Sequence, residues 1–303
     1  LTGNSSANQT ITTNAQPFNN LTINNNQVTF DQAIISGALD VNGTLTITDG
    51  NLKLDTNNPT VNIAGNVSIG SIGTWTKGTG AVTFDGITAT TYTDSTATKQ
   101  NIGAVTINKT DTVAPATNNK LTLASSMTVD TLTIDGTTGS ADTLDLASLG
   151  YTLKLANAGA TATVFTNSGT LTPGTNSTVQ YSATNSAANV NVTTTTYNHL
   201  KISGAETYNL TDHLTTTNAL TGNLTIDSGA TLDTSASGVM KNITAVDVTV
   251  NGTLTANSST ITSSGNWDSS AGTFTYGTSE VIMTGATKNI TTPSSGGWYT
   301  DRF

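Results

Sequence analysis

Apolar residues along this chain come in pairs two positions apart. Leu39/Val41, Leu45/Ile47, Leu52/Leu54, Val61/Ile63, Val67/Ile69 and Val82/Phe84 follow one another, each pair spanning a single polar or non-committal residue. Side chains two apart point to the same face of an extended chain, so each pair predicts a short strand with one buried face. Asn42-Gly43, Asp49-Gly50 and Asn58-Pro59 fall between the pairs, and these are turn formers with a physical basis in backbone freedom and local hydrogen bonding. The same texture continues through Val105/Ile107, Leu121/Leu123, Met127/Val129, Leu132/Ile134, Leu144/Leu146, Leu153/Leu155, Val179/Tyr181, Leu200/Ile202 and Leu224/Ile226. No segment carries a helical period of useful length.

A longer repeat lies over this pattern. The segment from Gly73 to Gly86 returns from Gly272 to Gly285 without a gap, and a looser copy starts at Gly169. A second marker recurs as Phe18–Ile23, Ile102–Ile107 and Tyr197–Ile202, spaced by 102 − 18 = 84 and 197 − 102 = 95 residues. The organisation expected is one continuous body over 1–303: an incomplete repeat end at 1–17, then repeats at 18–101, 102–196 and 197–303. Short strands recurring this often fit an all-β, right-handed parallel β-helix, a solenoid with coils of roughly 20–25 residues and three strands per coil. The hand follows the usual chirality of parallel crossovers. Tandem immunoglobulin-like β-sandwiches have a similar repeat length and are the alternative, but their strands are longer and their connections return antiparallel.

Composition narrows the class. Charged residues are 10% of the chain, far below the roughly 25% of an ordinary globular protein, and Thr, Asn, Ser and Gly fill most of the remainder. Low charge with ordered alternation argues against disorder. The net charge is −9, and the ten Lys and Arg are scattered singly, which disfavours nucleic acid as a partner. Cysteine is absent, so no disulfide framework and no thiol chemistry is expected. No apolar run approaches the length of a membrane span, and membrane insertion is not expected. The first residue is Leu1 rather than Met, as expected of a processed or excised chain.

Candidate chemistry is sparse. The aspartates are spread one per corner, where the side chain bonds its own backbone, and a catalytic pair is not expected. Asp130, Asp135 and Asp142 are the residues that stacking of coils could gather around a Ca2+ ion, although no calcium-loop motif is present and no cofactor is otherwise expected. His199 and His213 lack a partner at metal-ligand spacing. Asn42, Asn66, Asn108, Asn209, Asn223 and Asn251 begin Asn-x-Ser/Thr sequons and could accept glycans in a secreted protein. Thr-x-Thr steps such as Thr46-Ile47-Thr48 are of the kind found on ice-binding solenoids, without a regular array in the sequence. Trp75, Trp267 and Trp298 could stack on sugars, but recurrence of the first two in register points to core packing.

Phe18–Ile23, Val41-Asn42-Gly43-Thr44-Leu45-Thr46, Gly265-Asn266-Trp267 and the segment Gly272–Gly277 resemble elements of secreted microbial β-strand-repeat proteins. These are Thr/Asn-rich, adhesin-like proteins of cell surfaces and extracellular matrices. The resemblance implies an extracellular or cell-surface location and a repeat architecture, and carries over no catalytic residue. The function expected is a non-catalytic structural subunit of a filament, sheath or surface layer, assembling head to tail with copies of itself. The alternative is an adhesin binding surface glycans or another cell; a polysaccharide lyase or hydrolase ranks below both. Leu1, Ile11 and Phe18 at one end, and Met283, Ile290, Trp298 and Tyr299 at the other, are the apolar residues expected to meet in such assembly.

Overall fold

The computed structural model describes residues 7–27, 29–111, 118–136, 141–157, 162–184, 189–215, 218, 220–235 and 238–293. The chain forms two compact units, one of Leu1–Ala147, Tyr151–Leu153 and Thr166–Thr172, the other of Ser148–Gly150, Lys154–Phe165 and Pro173–Phe303. The division falls inside the second long repeat. Both units are β-solenoids, and every strand pairing described below is parallel.

In the first unit, one sheet stacks Leu39–Val41, Val61–Ile63, Val82–Phe84, Ala104–Ile107 and Thr131–Ile134 in order. Leu39, Val61, Val82, Val105 and Leu132 lie in one register column, with steps of 22 (61 − 39), 21 (82 − 61), 23 (105 − 82) and 27 (132 − 105) residues. Val41, Ile63, Phe84, Ile107 and Ile134 form the next column inward along the same strands. All ten side chains are at most 2% exposed. Each buried Val, Leu or Ile of this kind contributes roughly 1.5–3 kcal/mol relative to exposure. The residue after each strand donates its N–H to the coil below: Ala64 to Val41, Asp85 to Ile63, Asn108 to Phe84 and Asp135 to Ile107. The corners are thereby tied coil to coil.

A second sheet of this unit contains two strands longer than the sequence pattern predicts, Leu45–Lys53 and Val67–Thr76. Leu45–Ile47 pairs with Leu21–Ile23, whereas Asn51–Lys53 pairs with Gln32–Ile34, so the strand turns a corner without stopping. Its register against Val67–Thr76 shifts between Ile47 and Asp49. Asp49-Gly50 is therefore a bend within a strand and not a separator of two. Gly50 has φ +84°, and a Cβ there would lie 2.7 Å from the Asn25 carbonyl oxygen, so only glycine fits.

The second unit repeats the principle with three sheets. Thr178–Tyr181, His199–Ile202, Leu224–Ile226, Val248–Val250, Trp267–Asp268 and Ile290–Thr291 stack in one. Val190–Val192, Thr207–Leu210, Thr231–Asp233, Thr253–Thr255 and Thr273–Thr275 form another, and Ile243–Ala245, Thr260–Ser263 and Glu280–Met283 the third. One coil thus runs through Leu224–Ile226, Thr231–Asp233 and Ile243–Ala245 before Val248 begins the next, which gives the three strands per coil that the spacing predicts. The parallel ladders exclude immunoglobulin-like sandwiches, which need antiparallel neighbours.

Candidate functional site

The sequons occupy corners and strand edges. Asn42 and Asn66 are exposed, while Asn108, Asn209, Asn223 and Asn251 are half-buried. Two of them also work in the fold. Asn66 Oδ1 accepts the Thr91 N–H at 2.9 Å, and Asn223 Oδ1 accepts the Asp247 N–H at 3.1 Å. The second bond belongs to a ladder the sequence did not announce. His199 Nδ1 accepts the Asn223 N–H at 3.0 Å, Asp247 Oδ1 accepts the Asn266 N–H at 2.7 Å, and Asn266 Oδ1 accepts the Asn289 N–H at 3.1 Å. Each side chain ahead of a strand caps the backbone one coil on. His213 does the same, with Nδ1 accepting the Asn242 N–H at 2.8 Å. The tautomer that fits both histidines carries its proton on Nε2.

Trp75 and Trp267 are buried at 3% and 0% exposure, so neither presents a face to a sugar. Trp298 lies outside the described residues, as do Leu1 and Tyr299. Among the predicted end residues that are described, Ile11 and Phe18 are half-buried in the first unit. In the second unit Met283 is half-buried and Ile290 is 43% exposed. Ile290 stacks on Trp267 and Phe274 stacks on Leu254, both in inward-facing columns. Below them Trp267 and Leu254 are fully buried. The difference is position: Thr273–Thr275, Glu280–Met283 and Ile290–Thr291 are the last strands of their three sheets among the described residues.

The aspartates proposed around Ca2+ are placed differently from one another. Asp130 pairs with the Lys77 ammonium and accepts from Asn101 Nδ2 at 2.8 Å. The Asp142 backbone N–H donates to the Asp135 carbonyl at 3.1 Å, and its side chain turns inward at 1% exposure. Among the described residues, no group of three or more His, Asp or Glu is placed to hold a metal ion.

A cluster of titratable groups among the described residues centres on Lys109 and Asp85, neither of which the sequence singled out. Lys109 is 0% exposed, and its Nζ donates to the Asp85 carbonyl oxygen one coil below. From the coil above, Asp142 Oδ2 accepts the Lys109 backbone N–H at 3.0 Å. Asp85 Oδ1 and Asp142 Oδ1 are shut from solvent without a hydrogen-bond partner. Burial pushes the Asp142 carboxyl up to about 6, with Asp135 adding to the rise and Lys109 opposing it. Burial also raises Asp85, helped by Asp40, and burial lowers Lys109 against the pull of both carboxylates. Perturbed acids beside a perturbed amine are the raw material of acid–base chemistry. Here the amine and Asp142 are sealed in the interior, out of reach of a polymer substrate. The signal was present in the sequence: Lys109 stands two residues after Ile107 and Asp142 two before Leu144, which places both on the inward face.

No protein-family model, no curated protein and no solved structure matches the chain.

Proposed function

We propose that this chain is a non-catalytic structural subunit of an extracellular filament, sheath or surface layer, and that it assembles end to end with copies of itself. The observation that carries this reading lies at the last strands of the second unit's sheets among the described residues, where inward-facing Phe274, Met283 and Ile290 retain exposure. A strand edge with unpaired N–H and C=O groups above an apolar cross-section is a template for a further coil. Asn289 continues the capping column of His199, Asn223, Asp247 and Asn266, so its side chain stands where the next coil's backbone would be received. At the first unit, Gln9–Thr12 is the end strand of its sheet among the described residues and carries the half-buried Ile11. The burial of Trp75 and Trp267 gives the glycan-binding alternative less to work with.

The test is sedimentation velocity over a wide concentration range, with negative-stain micrographs of the same samples. Filaments or a concentration-dependent ladder of rods are expected. Ile290→Lys, at a position already 43% exposed, should shift the onset of assembly at least tenfold in concentration while the β-rich circular dichroism stays unchanged. A monodisperse monomer at the highest concentration overturns the reading.

A further inference from the structure

We propose that Asn42 is a site of spontaneous deamidation in the folded chain, converted by water to aspartate and isoaspartate, and that its repeat counterpart Asn251 is shielded from the same reaction. Val41-Asn42-Gly43-Thr44-Leu45-Thr46 recurs, residue for residue, as Val250-Asn251-Gly252-Thr253-Leu254-Thr255, and these segments hold the two Asn-Gly steps of the chain. Adjacent side chains therefore cannot distinguish the two sites, and a difference in reactivity must come from the fold. Glycine after asparagine leaves the attacking nitrogen sterically open, because it carries no Cβ.

The two corners treat that nitrogen differently. At the second, the Gly252 N–H donates to the Ile226 carbonyl at 3.0 Å, and the Asn251 N–H donates to the same oxygen at 2.8 Å. Gly252 is buried and Asn251 half-buried. The Gly252 nitrogen must give up its hydrogen bond before it can turn towards Cγ of Asn251. At the first corner, the Asn42 N–H donates to the Phe18 carbonyl at 2.8 Å, and the Thr44 N–H donates to Asn20 Oδ1 at 2.8 Å. Between these anchors the Gly43 N–H meets no acceptor among the described residues. Asn42 is exposed, and among the described residues its side-chain amide makes no hydrogen bond, so it is free to rotate.

The reaction needs only water. The Gly43 nitrogen loses its proton and bonds to Cγ of Asn42, the Cγ–Nδ2 bond breaks, and ammonia leaves with that proton. The product is a succinimide. Water then adds at either ring carbonyl and opens the ring, to aspartate in one case and isoaspartate in the other. The net change replaces NH2 by OH, and the new carboxyl ionises at neutral pH, adding a negative charge to a chain already at −9. It also destroys the sequon at Asn42, so a glycan on Nδ2 and this reaction exclude each other. This inference does not depend on the assembly reading and survives its failure.

The experiment is a time course of the purified, natively folded chain in mildly alkaline buffer, read by tryptic digestion and mass spectrometry. Trypsin separates the two sites, because Asn42 lies before Lys53 and Asn251 lies between Lys241 and Lys288. Asn42 should gain the mass difference between OH and NH2, as two products of equal mass and different retention. It should react roughly tenfold or more faster than Asn251, which is reached only through local opening. In denaturant the two identical segments should react at the same rate. An unreacted Asn42, equal rates in the folded chain, or a rate difference that persists in denaturant overturns the proposal. So does a glycan found on Asn42.

Discussion

The two units solve the same packing problem with different interiors. Among the described residues, all four buried charged side chains, Asp94, Lys109, Asp111 and Asp142, belong to the first unit. The second unit buries Asn157, eight Ser and Thr side chains, and three tyrosines, Tyr181, Tyr197 and Tyr208. Its three phenols are locally satisfied: Tyr181 and Tyr197 share a hydrogen bond of 3.0 Å, Tyr197 donates to the Thr193 carbonyl, and Tyr208 Oη accepts from the Ala183 N–H at 2.8 Å. Burial raises all three phenols, Tyr208 to about 12, so they stay neutral across the ordinary pH range. The charges of the first unit are served unevenly. Asp94 receives the Thr96 N–H and hydroxyl at Oδ1 and the Gln100 N–H at Oδ2, three donors for one carboxylate. Asp142 receives the Lys109 N–H on one oxygen, and its other oxygen has none. A buried charge is tolerated when enough donors surround it, and otherwise the group gives up its charge. The comparison therefore predicts that pH acts on the first unit and composition of the columns acts on the second.

The largest effect should come from forcing a charge into the neutral interior. Ile226 is 0% exposed, between Ile202 and Val250 in its column. Ile226→Asp buries a carboxylate with no prepared donors and should cost about 4 kcal/mol or unfold the second unit outright. Thr225→Asp, one residue away on the outward face, should cost about 0.5 kcal/mol or less. Thermal melts of the two variants check this, and equal damage from both would mean the inward columns are misassigned.

The next effect belongs to Asp142. Its folded value is raised from the usual 3.8 to about 6, so the folded protein holds this proton more tightly than the unfolded chain does. The resulting stabilisation is complete below about 3.8 and is lost as the pH rises through about 6, amounting to no more than about 3 kcal/mol. The first unit should be more stable at pH 4.5 than at pH 7. Asp142→Asn, which cannot ionise, should flatten this slope in a melt-against-pH series. A wild-type melting temperature that rises from pH 5 to pH 7, with the slope unchanged in the variant, contradicts the assignment.

Smaller effects test the second unit. Tyr197→Phe removes the hydroxyl between Tyr181 and Thr193 and should cost roughly 1–2 kcal/mol in chemical denaturation, with no change in pH dependence. Asn223→Leu withdraws the acceptor from the Asp247 N–H and should cost about 1 kcal/mol, whereas Asn223→Asp keeps an acceptor and should cost less. Both variants delete the sequon, so a glycan at Asn223 cannot explain a difference between them.

The columns of this fold were legible in the sequence because a strand buried on one face writes its period directly into the residues. Leu224/Ile226, Val105/Ile107 and Val82/Phe84 needed no other information. The corners were less legible. Asp49-Gly50 reads as a turn, yet the same glycine freedom serves a bend inside one strand, and only the pairing on both sides distinguishes the two. The buried charges were missed for a different reason. Asp142 and Asp145 are three residues apart and face opposite ways, Asp142 inward and Asp145 toward Lys120 at the surface. Asp94 stands two residues after the inward Tyr92, and Lys109 two after Ile107, so strict period-2 counting carried through the charged residues would have placed both inside. The His199-to-Asn289 ladder depends on residues brought into line by coil lengths that vary, which no local pattern reveals.

The measurement that bears most directly on the contrast between the two interiors is hydrogen exchange read peptide by peptide at pH 5 and pH 7, corrected for the intrinsic rate. The account predicts that the coils around Asp85, Lys109 and Asp142 gain protection at the lower pH, while the coils around Tyr181, Tyr197 and Tyr208 gain none. Equal gains in both units, or a loss of protection around Asp142 as the pH falls, would contradict it.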